Sequence, residues 1–514
     1  MTSMSGAPPA NRSAARILAR GLAVPLIAGA ACVFGFAPFY AWPVPILMIA
    51  LLFHQLDASG TALRAGLSAF AFGLGYFLAG VSWIYVSLHL YGSMPAPLAA
   101  LATFLVCAYL ALFPAAAGWV ALRWGGTQSG PRLALLSAAF VAFEWLRGWL
   151  FSGFPWLTLG TSQVPASPLA GFAPFAGAYG TSLAVTLAAA LVCAFFQSVA
   201  LSSARYRLLA ALAVLFLAGG VARTVAWTSP SGEPITVALL QGNVPQSLKW
   251  QEDMRTKTML DYRQMMNAAS ARVIVLPETA LPAFFDQLPA DYLETLREPA
   301  RRQGREILMG TAERHFRGQE YEYYNSVVNL TDPAQPSYRK RHLVPFGEYI
   351  PPGFKWILAI LKIPLSDFAV PTGKPEVIVA GGRRFGVAIC YEDIFGEEVI
   401  ELLPQAEILL NVSNDAWFGE SFAADQHLQA SQMRALETGR WMVRSTNTGV
   451  TAAIDAEGRV VARLPAFTTG TLVQAVEPRT GMSPYARWGN YAALILVAAL
   501  AGAALTAAWR ADAS

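Results

Sequence analysis

The stretch that decides the fold of the polar part of this chain is Arg384-Phe385-Gly386-Val387-Ala388-Ile389-Cys390-Tyr391-Glu392-Asp393. Its apolar run, residues 385–389, predicts a short buried strand. Cys390 ends that strand, and one residue further the acidic pair Glu392-Asp393 is typical of a helix start. A thiol in this position is placed like a nucleophile, although a packed structural cysteine fits the same pattern.

The composition of the chain is that of a membrane protein. Of its 514 residues 55% are hydrophobic and only 14% are charged, whereas soluble domains usually carry about 25% charged residues. The 37 basic and 33 acidic residues nearly balance, so nothing indicates a nucleic-acid partner. Much of the chain must therefore face lipid.

Apolar stretches of about 18 or more residues predict membrane-spanning helices. About seven precede residue 228, near 19–37, 41–56, 66–88, 95–121, 133–151, 172–197 and 207–226. An eighth lies near 489–508. We therefore predict a transmembrane bundle over residues 1–227, a polar domain over 228–488, and a C-terminal span with its tail over 489–514.

The distribution of basic residues predicts the orientation of these spans. Lys and Arg occur before the first span, in every second loop and after the last span, at Arg12, Arg16, Arg20, Arg64, Arg123, Arg132, Arg205, Arg207 and Arg510. Basic loops stay on the cytoplasmic side. Both termini are therefore predicted to be cytoplasmic, and an odd number of preceding spans puts the polar domain outside.

Short apolar runs bounded by turn residues predict strands in the polar domain. They lie at 235–241, 273–277, 305–311, 326–330, 384–390 and 407–413, with more near 442–454 and 469–475. Helical patterns at 251–270 and 426–440 alternate with them, which predicts an α/β layered domain. A further apolar run, 354–363, is too short to span. It predicts either a helix packed on the domain or a segment that enters the lipid surface.

The cysteines and histidines do not indicate a disulfide framework or a metal centre. Cys32, Cys107 and Cys193 lie in apolar runs, which leaves Cys390 without a partner in the polar domain. The five histidines show no metal-ligand spacing. We expect neither a metal nor another cofactor.

Three residues that follow predicted strands or basic runs could carry chemistry. Glu278, Lys340 and Cys390 would serve as a base, an oxyanion-stabilising cation and a nucleophile. Taken singly, each leaves a structural role open: a solvated loop carboxylate, an exposed charged surface and a packed thiol. Taken together they indicate an acyl-transfer centre tethered to a bilayer.

The order of five motifs is more specific than any single residue. The motifs are Leu276-Pro277-Glu278, Tyr324-Asn325-Ser326, the run from Tyr338 to Glu348, Gly386-Val387-Ala388-Ile389-Cys390-Tyr391-Glu392-Asp393, and the run from Asn411 to Gly419. This series resembles the nitrilase, or carbon–nitrogen hydrolase, superfamily, whose catalytic triad is Glu, Lys and Cys in that chain order.

Motifs outside the triad narrow the resemblance. They are the run from Gln241 to Trp250, Glu144-Trp145-Leu146-Arg147-Gly148 and Gly153-Phe154-Pro155-Trp156. With them, residues from about 20 to 508 resemble the apolipoprotein N-acyltransferase family of bacterial inner membranes. Within the second motif, Glu144 and Arg147 are also spaced to pair at i,i+3 on one helix face.

The resemblance implies a polytopic α-helical membrane bundle that carries a periplasmic αββα sandwich in the inner membrane. It implies Glu278 as the general base, Lys340 as the oxyanion-stabilising cation and Cys390 as the nucleophile. It also implies supporting roles for Glu348, Tyr391 and Glu392 and a substrate-proximal position for Trp250.

The reaction implied by the resemblance is acyl transfer from a membrane phospholipid, through a Cys390 thioester, to the α-amino group of a diacylglyceryl-cysteine at a lipoprotein N-terminus. Two alternatives remain open at the level of sequence. One is a membrane-anchored amidase or nitrilase that uses water as the acceptor. The other is a non-catalytic scaffold that retains the domain.

Overall fold

The structure is a computed structural model that describes residues 10–199, 202–318, 320–351, 353 and 367–513, with residues 10–20 described by their backbone only. The apolar run 354–363, for which two placements were predicted, lies outside the described residues.

Seven long helices within the described residues follow the seven spans predicted before residue 228. They are α1 (Ala10–Cys32), α2 (Pro43–Asp57), α3 (Ala62–Val81), α4 (Ala96–Trp124), α5 (Ser129–Arg147), α6 (Ala173–Gln197) and α7 (Ser203–Ala222). The polar part of the chain adds α8 (Glu252–Ala268), α9 (Ala290–Arg302) and α10 (Ala423–Thr438), and the chain ends in α11 (Tyr491–Ala513).

Five of the described helices are long and apolar enough to cross a membrane. They are α3, α4, α7, α11 and the segment Pro168–Gln197, within which α6 lies. The segment Gly21–Gly35, which contains the C-terminal half of α1, and helix α2 are shorter apolar helices. The helical half of the chain therefore has the composition of a multi-pass membrane bundle, and the number of eight spans stays a prediction.

Glycines let α1 and α3 approach each other closely. Gly29 and Gly75 are both buried at this crossing. A Cβ atom on Gly29 would collide with the Phe72 carbonyl oxygen, and one on Gly75 would collide with the Leu26 carbonyl oxygen. Small residues are the usual means of close helix packing in lipid, where no hydrophobic force drives helices together.

The polar part of the chain forms fourteen described strands: β1 (Thr228–Pro230), β2 (Ile235–Gln241), β3 (Val273–Leu276), β4 (Glu306–Arg317), β5 (Glu320–Asn329), β6 (Tyr338–Arg339), β7 (Ile378–Ala380), β8 (Arg383–Ile389), β9 (Ile408–Ser413), β10 (Met442–Thr446), β11 (Ala452–Ile454), β12 (Val460–Arg463), β13 (Gly470–Val476) and β14 (Arg479–Gly481). Each predicted strand segment coincides with one or two of them.

Two six-stranded sheets are built from these strands. The first has the order β13-β2-β3-β4-β5-β6 and the second the order β12-β11-β10-β9-β8-β7, while β1 and β14 pair separately. The parallel pairs β2–β3, β3–β4, β8–β9 and β9–β10 form the centres of the sheets. The hairpin β4–β5 is longer than predicted, because its exposed outer residues lack the apolar alternation on which the prediction relied.

The sheets stack face to face and are covered by helices on their outer faces. Successive residues of β10 show both faces: the Ser445 hydroxyl donates to backbone oxygens of Leu240 and Val275 in the first sheet, while Arg444 donates to Ser431 of α10. On the far side, α8 and α9 pack against the first sheet. The layers are therefore helix, sheet, sheet and helix, which confirms the predicted αββα sandwich.

Helix α10 lies between the second sheet and the membrane bundle, so that its polar side chains are buried on both sides. Gln429 accepts a hydrogen bond from the Ala37 N–H at 2.8 Å, and Gln426 accepts one from the Trp156 indole at 2.8 Å. Glu437 accepts one from the Ala178 N–H at 2.6 Å. The bundle and the sandwich therefore share an interface built from directed polar contacts.

The crossing of α1 and α3 gives a stability prediction with a matched control. Gly75→Ala should destabilise the protein by about 1–3 kcal/mol, because the added methyl group meets a backbone oxygen that cannot move aside easily. Gly220→Ala in α7 adds the same methyl group where nothing lies within 4 Å, so it should be neutral or stabilise the helix by up to about 1 kcal/mol. Thermal unfolding in detergent checks both, and equal midpoints for the two variants would contradict the packing argument.

Candidate active site

Cys390 lies at a sharp turn between β8 and a single 3₁₀ turn, Cys390–Ile394. Its φ angle is +53°, in the left-handed region that non-glycine residues rarely adopt. Such a conformation persists only where surrounding contacts hold it, and it is enriched at functional positions. The residue as a whole is partly exposed at the end of the strand.

Glu278, Lys340 and Glu348 lie together beside this turn. The Lys340 ammonium is 1% exposed, and its Nζ lies 2.8 Å from the Glu348 carboxylate and 3.8 Å from Glu278 Oε1. Asn325 joins the two carboxylates, because its amide donates to Glu278 Oε1 at 2.7 Å and to Glu348 Oε1 at 3.0 Å. Three of the residues predicted from sequence are thus brought into one buried cluster.

The charges of this cluster act on the Cys390 thiol. Burial raises the pKa of Cys390 well above its ordinary value, the Glu278 carboxylate raises it further, and the Lys340 ammonium lowers it in part. The thiol is therefore protonated at rest, and a base must remove its proton before it can attack. Glu278 is a carboxylate close enough to influence that proton.

Lys340 stays charged although it is buried. Burial alone would lower the pKa of Lys340, but the Glu348 and Glu278 carboxylates outweigh burial and raise it. Glu348 is itself fixed by the Val344 N–H, which donates to its Oε2 at 2.8 Å. The result is a fixed cation of the kind that stabilises a developing oxyanion.

Glu392 ties the turn at Cys390 to the segment that carries Lys340. It is 2% exposed and accepts hydrogen bonds from the Ile389 N–H at 2.6 Å, the Tyr338 hydroxyl at 3.0 Å and the Arg341 N–H at 2.6 Å. Burial raises the pKa of Glu392 to about 7, against the effect of the backbone N–H donors and the Lys340 charge. The predicted supporting role of Glu392 has a structural counterpart in these contacts.

Tyr391 contacts the membrane bundle. Its hydroxyl donates to the Gly153 carbonyl at 3.2 Å, and its ring stacks on Trp156 with centroids 6.5 Å apart. Arg147 of α5 holds the same loop by donating to the Trp156 carbonyl at 2.7 Å. Arg147 also lies 3.8 Å from Glu144, which confirms the predicted i,i+3 pair. The pair thus helps to hold the loop that contains Trp156.

Trp250 lies in the segment after β2 and is 38% exposed. Its neighbour Lys249 is buried and donates to the Glu278 carbonyl at 3.3 Å and to the Thr279 hydroxyl at 2.8 Å. Burial lowers the pKa of Lys249 to about 8, partly offset by the Glu278 charge. The segment that contains Trp250 is thereby anchored directly behind the candidate base.

Several residues of the site were not assigned roles from sequence. Asn325 was quoted only as part of a motif, and Lys249 only as part of another. Asp393, Asp415, His427 and Arg444 form a buried group behind Cys390. Two of these residues, Asp393 and Asp415, lie in the sequence motifs, but the group itself was not predicted because its members come from four separate elements. Charged residue types inside an otherwise apolar stretch are the one sequence signal that could have indicated these four residues. Within the described ranges, no group of three or more His, Cys, Asp or Glu residues is arranged to hold a metal ion.

Comparisons with known proteins bear on the whole chain. A family model described as carbon–nitrogen hydrolase matches residues 236–483, and one described as the apolipoprotein N-acyltransferase N-terminal domain matches residues 28–191. The chain is 48% identical over 474 residues to the apolipoprotein N-acyltransferase of Nitrosomonas europaea, covering 92% of this chain and 94% of that protein. The chain belongs to the apolipoprotein N-acyltransferase family.

A second relative of the same name, from Methylococcus capsulatus, is 45% identical over 491 residues and covers 94% of this chain and 95% of its own length. Among solved structures, a variant of Nesterenkonia AN1 amidase from the nitrilase superfamily matches 50% of this chain and 95% of its own, with 18% identity and a TM-score of 0.36. In this apolipoprotein N-acyltransferase family member, the carbon–nitrogen hydrolase model covers both six-stranded sheets, and the other model covers most of the helical bundle, from within α1 to within α6.

The electrostatics of the cluster predict how the reactivity of Cys390 depends on pH. Because the Glu278 charge raises the pKa of the thiol and the Lys340 charge lowers it, Glu278→Gln should move the alkylation midpoint to lower pH and Lys340→Gln to higher pH. The rate of iodoacetamide modification of the Cys390 peptide, followed by mass spectrometry, measures this midpoint. Cys390→Ser serves as the blank, and shifts in the same direction for both variants would contradict the arrangement.

Proposed function

We propose that this chain is an N-acyltransferase that moves a fatty acyl chain from a membrane phospholipid, through a Cys390 thioester, to the α-amino group of the diacylglyceryl-cysteine of apolipoproteins. The observation that carries the proposal is the buried cluster in which Lys340 contacts Glu278 and Glu348 while the charges of Glu278 and Lys340 act on the Cys390 thiol. The names of relatives matched along nearly the whole chain support the choice of substrates.

In the first half-reaction Glu278 takes the thiol proton and the sulfur attacks the ester carbonyl carbon of the phospholipid. Negative charge develops on the carbonyl oxygen, where Lys340 and backbone N–H groups of the turn stabilise it. The intermediate collapses by breaking the bond between carbon and the alcohol oxygen. Glu278 returns its proton to that oxygen, and a lysophospholipid leaves.

In the second half-reaction the neutral α-amino group of the lipoprotein attacks the thioester carbon. Glu278 accepts a proton from the attacking nitrogen, and the same cation stabilises the oxyanion. The carbon–sulfur bond then breaks, the proton passes to the Cys390 sulfur, and the product is an amide. A thioester is reactive enough to acylate an amine, so no further source of energy is needed.

We place the reaction at the outer surface of the bacterial inner membrane. The proposal divides the chain into a transmembrane bundle (1–227), a periplasmic catalytic domain (228–488) and a C-terminal span with a cytoplasmic tail (489–514). The alternation of basic loops supports cytoplasmic termini. The shared interface of α10 and the bundle supports a catalytic domain held against the lipid, where both substrates reside.

The alternative of an amidase that uses water is not favoured, because relatives similar along the whole chain carry the acyltransferase name.

Incubation with phospholipid should leave an acyl group on Cys390, because the first half-reaction can proceed without an acceptor. Intact-protein mass spectrometry should show wild type heavier by one acyl group, and Cys390→Ala should show no adduct. Glu278→Gln should form the adduct at least about 100-fold more slowly, as expected for loss of a general base. Wild type that stays free of adduct under these conditions would contradict a covalent mechanism at Cys390.

The nature of the acceptor is tested separately by supplying the acylated protein with a diacylglyceryl peptide that has a free α-amino group. We expect N-acyl peptide to form faster than free fatty acid is released. The same peptide with an acetylated α-amino group is the matched control and should accept no acyl chain. Release of free fatty acid at the same rate with and without peptide would instead support the water-using alternative.

A further inference from the structure

The backbone carbonyl of Cys390 is held by two side chains that the reaction does not use directly. Asn411 of β9 donates to it from Nδ2 at 3.1 Å, and His427 of α10 faces it with Nε2 at 3.1 Å. Asn411 also donates to the carbonyl of Ala388, two residues earlier in β8, at 3.2 Å. The left-handed turn of Cys390 is thus clamped from a strand and from a helix.

The geometry around His427 requires a proton on both ring nitrogens. Nδ1 lies 2.9 Å from Asp415 Oδ1, while Nε2 lies 2.8 Å from Asp393 Oδ1 as well as 3.1 Å from the Cys390 carbonyl. Burial disfavours the charged forms of Asp393 and Asp415, but the His427 and Arg444 charges outweigh it and lower the pKa of both carboxyl groups. With both aspartates ionised, all three partners accept, so both ring nitrogens donate and the ring is an imidazolium. The pKa of His427 is raised to about 9 by these two carboxylates, although burial and Arg444 oppose them.

The imidazolium belongs to a closed group of buried charges. Arg444 lies 2.9 Å from Asp393 and 3.4 Å from Asp415, so two cations face two anions, all at most 1% exposed. Ser431 donates to Asp393 at 2.5 Å, and the Trp156 ring from the bundle lies 5.6 Å from the imidazole. Each charge has its partners within the group, so the orientation of His427 is fixed.

We propose that His427 and Asn411 are positioning residues for the nucleophile: by fixing the Cys390 carbonyl they set the turn that directs Sγ toward Lys340 and orients the adjoining peptide N–H. The C=O of Cys390 and the N–H of Tyr391 belong to one planar peptide unit. Two donors on the oxygen therefore also fix the direction of that N–H, which is a candidate oxyanion donor in the proposed function on which this inference rests.

The test uses Asn411→Leu, which keeps the size of the side chain and removes the donor, and Asn329→Leu as its control. Asn329 is 3% exposed at the end of another strand and donates to Glu306 and to the Val379 carbonyl, away from the turn. If Asn411→Leu does not fold, a second pair of variants decides the test. In that pair His427→Gln is the test variant, and Gln432→Leu on the same helix is its control. All proteins are full-length, in detergent.

Two readouts separate positioning from stability. The first is the rate of Cys390 acylation at saturating phosphatidylethanolamine, per folded molecule. Asn411→Leu should lower it by ~100-fold, the cost of a misplaced reacting group, with little change in the donor KM. Asn329→Leu should lose thermal stability but keep this rate, and His427→Gln should retain part of the rate because it still offers a donor.

The second readout does not depend on acyl transfer. In the wild-type background Lys340→Gln should raise the pH midpoint of Cys390 alkylation by iodoacetamide, and in the Asn411→Leu background this shift should shrink because Sγ no longer faces Lys340. An undiminished shift together with an unchanged acylation rate would overturn the inference. If wild type forms no acyl adduct, the proposed function fails, while the alkylation shift still decides whether the turn is held by Asn411.

Discussion

The buried Lys340 ammonium is the constraint on which the arrangement of the site depends. A cation that is 1% exposed is tolerated only where anions and hydrogen-bond acceptors surround it. Glu348 and Glu278 supply that environment from two different segments, and Asn325 fixes the distance between the two carboxylates. Removal of one partner of a buried ion pair typically costs about 3–5 kcal/mol, because an uncompensated charge remains. The candidate base and the candidate cation are therefore positioned by the same interaction.

Buried charges and polar groups with fixed partners also connect the site to the membrane bundle. Behind the turn of Cys390, the charged group around His427 is closed by Trp156, and Trp156 is held by Arg147 of α5. Helix α10 contributes to the sandwich on one side and to the bundle on the other. A polar helix buried on both faces needs a partner for each polar side chain. The bundle thus completes the packing of the sandwich.

The parts of the fold that depend on local patterns could be predicted from sequence. Helical spans and buried strands are continuous apolar runs that can be recognised in the sequence itself. The predicted strand segments therefore agree with β2, β8 and β9 almost to the residue. The αββα arrangement and the identity of Glu278, Lys340 and Cys390 came from the ordered motifs of the family. Contacts between residues far apart in the chain left no local pattern: His427 meets Cys390, Asp393 and Asp415 only because α10 docks behind the second sheet.

The raised pKa of the thiol has a consequence for the order of events in the proposed mechanism. With Cys390 protonated and Lys340 charged at rest, the two carboxylates outnumber the single cation by one negative charge, and a thiolate would add a second one. Since desolvation disfavours the free anion near neutral pH, the proposed mechanism has the proton pass to Glu278 as the sulfur attacks the ester carbonyl. After acylation the sulfur is a neutral thioester, and Glu278 has given its proton to the leaving alcohol. The carboxylate is then ready to receive a proton from an incoming amine, so that one base serves both half-reactions.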